Sequence, residues 1–207
     1  RHSSSAASDV YKRQAESGGV FVDALVNEGL DPCAQNNKGH TPLISAVISK
    51  KIQHIPLLSS AMFVRDNKLN GPIHHAIESR SAVIIKELVR CTPPLPKHWI
   101  LTYNEPVDYH LNYFSNVEGF PPMHLCVTKM DIEMVKCILS LGGNINSEYN
   151  GKTAKCILVS TGATLRYGGI FPTEICTKEQ VMQMWSVITD DTNVHRHVNA
   201  RADRYTG

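Results

Sequence analysis

No stretch of this chain approaches the roughly 20 consecutive apolar residues that cross a bilayer, and no apolar signal core follows its N-terminus. Charge of one sign is also lacking. Lys and Arg number 21 against 19 Asp and Glu, a net charge of +2 with His neutral, and the basic residues are scattered rather than striped. That removes the electrostatic footprint of a nucleic-acid binder. The six cysteines are Cys33, Cys91, Cys126, Cys137, Cys156 and Cys176, and none stands in a Cys-x-x-Cys pair. A zinc ribbon and a dithiol redox motif are thereby unsupported. Cys126, Cys137 and Cys156 are expected as buried thiols, and unpaired thiols point to a reducing compartment, cytosol or nucleus. Catalytic signatures are missing as well: there is no Gly-x-Ser-x-Gly elbow, no phosphate loop and no His-Glu-x-x-His. No catalytic residue, cofactor or metal ligand is assigned from the sequence.

What is present is a pattern of punctuation. Gly119 to Gly151 holds Pro121-Pro122 before a short apolar run, as fits the first turn of a helix. Asp131 is placed to cap a second helix, with Glu133 at the positive end of its dipole. Ile132, Val135, Ile138 and Leu139 then share one helical face. Gly142 or Gly143 supplies the left-handed stop, and Asn144 to Gly151 is turn-rich. The sum is a helix, a turn, an antiparallel helix and a hairpin.

The same punctuation recurs. Gly39-His40-Thr41-Pro42-Leu43-Ile44-Ser45-Ala46 opens one copy and Gly71-Pro72-Ile73-His74-His75-Ala76 opens the next, 30 residues on. Gly151-Lys152-Thr153-Ala154 opens a degraded copy after the one at Pro122. Ile52, Ile55 and Leu58 are expected to face inward on the second helix of the first copy, which Pro56 makes irregular. Ile85, Leu88 and Val89 form the matching face in the next. From Pro72 to Pro122 is 50 residues, so an insert lies between Cys91 and Val117. It carries Trp99, Tyr103, Tyr109, Tyr113 and Phe114. Towards the C-terminus, Thr177 to Gln180 reads as a capping box, and Val181, Met184, Trp185 and Ile188 as a helical stripe. Residues 1–18 read as a leader unrelated to the fold. Residues 1–14 resemble translated sequencing adapter.

These runs resemble the ankyrin repeat, whose signature is Gly-x-Thr-Pro-Leu-His-x-Ala in a period of about 33 residues. Ile44 replaces the signature His, Pro121 its Thr and Cys126 its small Ala. His197-Val198-Asn199-Ala200-Arg201 resembles the family's hairpin, and Gly207 then falls at the start of a further repeat. The resemblance covers roughly residues 19–207. It implies an all-α fold, an ankyrin-repeat solenoid of four to five antiparallel helix pairs joined by β-hairpin loops. It implies a module that binds a protein partner, with further repeats in cis, and it brings no catalytic motif to this segment. The order of Met123-His124-Leu125-Cys126, Glu133-Met134-Val135 and Asp203-Arg204-Tyr205-Thr206-Gly207 also resembles the ankyrin region of calcium-independent, patatin-like phospholipases A2. That resemblance implies a regulatory, non-catalytic segment of a lipid hydrolase.

In ankyrin repeats the hairpin tips and first helices form the binding surface. The resemblance therefore puts His40, Asn67, Lys68, Phe120, Tyr149 and Lys152 at partner-binding positions. Trp99, Tyr103, Tyr109 and Tyr113 in the insert are read as a contact loop, since aromatic side chains dominate interface hot spots. The competing reading packs them back over the repeats. His74 and His124 occupy the signature's own His position and are expected to bond backbone. His74 and His75 are adjacent, so their rings point apart and do not share a metal.

Overall fold

Three of the helices begin where the sequence places a proline. The computed structural model describes residues 31–94, 109–114, 120–149, 151–158 and 178–189. Among them the protein is helical with almost no strand. Helices α1 (Pro42–Ile48), α2 (Pro72–Glu78) and α4 (Pro122–Thr128) each carry Pro in the first turn, where no N–H is needed. Each ends in the same way. Lys50, Arg80 and Met130 take positive φ, at 55°, 51° and 53°. The N–H of each bonds back to Val47, Ile77 or Val127, and the next N–H bonds to Ala46, Ala76 or Cys126. This is the Schellman turn, and it throws the chain directly into a second element.

That second element is helical twice and tighter once. Helix α3 (Ala82–Arg90) buries Ile84, Ile85, Leu88 and Val89. Helix α5 (Ile132–Ser140) buries Met134, Val135, Ile138 and Leu139, and Asp131 Oδ1 accepts the Met134 N–H at 3.1 Å as its cap. Ile132, expected on the inner face, is half-buried. After α1 the chain forms two short 3-10 helices, Ile52–His54 and Pro56–Ala61. Pro56 lacks the donor and clashes with the carbonyl four residues back, so a continuous α-helix cannot form. Ile55 and Leu58 are buried as expected, and Ile52 is half-buried.

The chain divides into two compact units, Arg1–Thr102 and Tyr103–Gly207, parted inside the proline- and aromatic-rich insert. In the first unit α2 packs against α1 and α3. In the second, α4 packs against α5, and α5 against helix α6 (Lys178–Thr189). A short hairpin follows α5: β1 (Glu148–Tyr149) pairs antiparallel with β2 (Lys152–Thr153). Gly151 takes φ +70° between them. Gly143 is required on steric grounds, because a Cβ there would lie 2.3 Å from the Ile138 side chain.

Three expectations need correction. Residues 109–114 of the insert form a single wide turn closed by the Phe114 N–H on the Tyr109 carbonyl at 2.9 Å. It packs on α4 and buries Tyr109, Leu111 and Phe114. Tyr109 is thus part of the core and not an exposed contact ring. On α6, Met184 and Ile188 are buried but Trp185 is 39% exposed. One residue is about 100° of helical turn, and the stripe facing α5 is too narrow to include Trp185. Cys156 is exposed rather than buried. Residues 154–158 are helical, and Ala154 and Leu158, four apart, take the inner face instead. The leader, the Thr177 capping box and everything beyond Thr189 lie outside the described residues.

Candidate functional site

Two loops of the first unit are copies of one another. Asn36 opens the first: its N–H bonds to the His40 carbonyl at 3.0 Å, and its Oδ1 accepts the N–H groups of Lys38 and His40. Asp66 opens the second: its N–H bonds to the Asn70 carbonyl at 2.9 Å, and its Oδ1 accepts the N–H groups of Lys68 and Asn70 at 2.8 Å each. Asn and Asp favour such turns because the side chain substitutes for a backbone acceptor two residues on.

The two loops stack. The Asn67 N–H donates to the Lys38 carbonyl at 3.2 Å, and the Asn67 side-chain amide donates to the Asn37 carbonyl at 2.9 Å. Gln35 Nε2 donates to the carbonyls of Gly39 and Arg65. Gly39 sits at φ +77°, and a Cβ there would lie 2.4 Å from the Asn67 nitrogen. Glycine is therefore required both by conformation and by the close approach.

Stacking brings together three side chains that are remote in sequence. Asp66 Oδ2 lies 2.9 Å from His75 Nε2 and 3.8 Å from His40 Nε2. The two imidazole rings meet edge to face, with centroids 5.5 Å apart. Asp66 is 3% exposed in its side chain, His75 12% and His40 20%, so the cluster is sheltered but reaches water beside His40. Burial holds the His40 pKa below the ordinary value, the neighbouring His75 adds to this, and Asp66 pulls the other way. Two imidazole nitrogens and one carboxylate oxygen converge here within 4.8 Å of one another. It is a donor set that can bind a proton, a hydrogen-bonding partner or a cation.

Sequence reasoning included His40 but missed Asp66 and His75. His74 and His75 do point apart, as expected. His74 is fully buried, and its Nδ1 accepts the Gly71 N–H at 3.1 Å. His75 turns the other way and finds its partners 9 and 35 positions back. The signal was the 30-residue recurrence itself, which superposes the Asn36 turn on the Asp66 turn and so brings His40 next to the following loop.

Of the remaining expected contact residues, Asn67 and Lys68 are exposed on the second loop, with the Asn67 amide committed to the stack. In the second unit Phe120 is half-buried and Lys152 is exposed. The Lys152 carbonyl lies 3.0 Å from His124 Nε2 and accepts its N–H. Trp99, Tyr103 and the side chains of Tyr113 and Tyr149 lie outside the described residues.

A comparison with profiles of known protein families finds no match, and a comparison with curated protein sequences finds none either. Among the described residues, no helix is long and apolar enough to cross a membrane.

Proposed function

We propose that this chain is an ankyrin-type protein-binding module, with the stacked loops of the first unit as its recognition surface. One observation carries the reading. A loop, a proline-started helix and a Schellman turn recur with the same hydrogen bonds 30 residues apart, at Asn36–Lys51 and at Asp66–Ser81. Such repetition serves stacking rather than chemistry, and stacked units present their loop tips and first helices to a partner. The tip residues Asn37, Lys38, Asn67 and Lys68 are exposed and polar, as suits the rim of a protein interface.

The phospholipase resemblance adds an enzyme domain elsewhere in a longer protein and leaves this segment in the same binding role. Reading the transcript past Gly207 separates a patatin-like parent from an adaptor of repeats alone.

The binding role is tested by photo-crosslinking from single sites in cells. A crosslinking side chain at Lys38 or Lys68 should join one defined protein partner. The same group at Val83, which is exposed on α3, should not. Equal labelling from all three sites contradicts the assigned surface.

A further inference from the structure

We propose that His40, Asp66 and His75 form a binding site for one divalent transition-metal ion of the zinc class, held by Nε2 of each imidazole and Oδ2 of the carboxylate. Nothing in the binding-module reading requires this, and the site can fail while that reading stands.

The distances fit. Ligand atoms about 2.0–2.1 Å from a tetrahedral ion stand roughly 3.3 Å from one another. The two separations to Asp66 Oδ2, 2.9 and 3.8 Å, bracket that value. All three donor atoms lie within 4.8 Å of one another, so closing the widest pair to that spacing takes at most about 1.5 Å, shared between two side chains.

The carboxylate is preorganised. Both bonds from the Lys68 and Asn70 N–H groups fall on Oδ1, which fixes the side chain and leaves Oδ2 aimed at the imidazoles. Glu78 stands on the far side of His75. Its Oε2 lies 3.7 Å from His75 Nδ1, beyond hydrogen-bond distance, and a small rotation of this exposed side chain brings the carboxylate within reach of the N–H of a metal-bound imidazole. When His75 Nε2 takes the ion, the ring's one proton sits on Nδ1, the nitrogen that faces Glu78. The partial exposure of His40 leaves a fourth position for water, as in sites with three protein ligands.

The donor set also selects the ion. Two neutral nitrogens and a single carboxylate suit zinc, cobalt or nickel rather than calcium or magnesium, which take oxygen ligands. The positive charges of Lys38 and Lys68 act on His40, and they oppose any cation held by charge alone.

The experiment is calorimetric titration of the full chain with Zn²⁺ after treatment with a chelator. One saturable site is expected. Because the chain has ten histidines, location is decided by variants. His40→Gln and His75→Gln should each weaken binding at least tenfold. Asp66→Asn should do the same, since Asn keeps the Oδ1 acceptor of the turn. Glu78→Gln alters an exposed residue that touches no ion, and should weaken binding about tenfold. Co²⁺ in place of Zn²⁺ should give the strong d–d absorption of a four-coordinate site, lost in His40→Gln. If a ligand variant loses its circular dichroism, Glu78→Gln and His40→Gln carry the decision. Absence of a saturable site, or affinity unchanged in both His40→Gln and Glu78→Gln, overturns the proposal.

Discussion

Pro121 sits three residues before His124, in the place from which Gly71 donates its N–H to Nδ1 of His74 at 3.1 Å. Pro has no N–H to give. His124 is 1% exposed, its Nε2 is satisfied by the Lys152 carbonyl, and its Nδ1 has no hydrogen-bond partner among the described residues. A buried acceptor without a donor costs about 1–3 kcal/mol.

Pro121→Thr should therefore stabilise the protein. It restores the N–H, and its hydroxyl can cap α4 as Thr41 caps α1, where Thr41 Oγ1 accepts the Ile44 N–H at 3.2 Å. Loss of the proline's restraint on the unfolded chain offsets about 0.4–1 kcal/mol, which leaves a net gain of about 1 kcal/mol. Denaturant midpoints of the two proteins decide it. A lower midpoint for the variant would show that the Nδ1 vacancy is not a cost.

The same histidine makes stability depend on pH. Burial holds the His124 pKa below 6.5, and the bond to the Lys152 carbonyl opposes this only in part. The unfolded chain therefore takes up a proton as pH falls through 6.5, while the folded chain does not. Stability contributed by neutral His124 is present above 6.5 and is lost progressively below it. His124→Gln should show a smaller drop than the natural protein between about pH 7.5 and pH 5.5. Parallel curves would mean that this imidazole does not carry the effect.

Lys50 holds φ at 55°, a conformation that costs a side chain but not glycine. It is exposed. Lys50→Gly should raise stability by about 0.5–1 kcal/mol, in contrast to the loss glycine causes inside a helix. Thermal melts check the sign.

The turn at 109–114 is structural. Phe114 is 1% exposed, and Asn112 Oδ1 accepts the Asn144 N–H at 2.7 Å, tying the insert to the loop after α5. Phe114→Ala should cost about 3–5 kcal/mol. Leu139→Ala, at a buried position of α5, should cost about 2–5 kcal/mol. If Phe114→Ala leaves the denaturation midpoint unchanged, the aromatics of this turn are not core.

Much of this was legible in the sequence, for a physical reason. Proline at a helix start, Asp131 at a cap and Gly142, at φ 101°, as the left-handed stop act through local backbone chemistry, and residues within a few positions determine them. The inner face of α3 and most of that of α5 follow from helical period, Ile132 being the exception. What was not legible depended on neighbours remote in sequence. Trp185 fits the stripe of α6, yet only the width of the contact with α5 decides its exposure. Tyr109 reads as a loop aromatic until α4 covers it. The cluster of His40, Asp66 and His75 exists only because one loop lies on the next, and no local pattern marks it.

The central claim is that the first unit is built by repetition of a 30-residue element, each copy stacked on the last. Tandem duplication of residues 36–65 tests it most directly, because it inserts one whole period between the Asn36 and Asp66 turns. Stability of stacked repeats is close to a sum of unit and interface contributions. The duplicated protein is predicted to fold cooperatively, keep its helical ellipticity per residue and melt at the same or a higher temperature. An unfolded or aggregated product would contradict the repeat account, since a non-repeating core has no place for 30 additional residues.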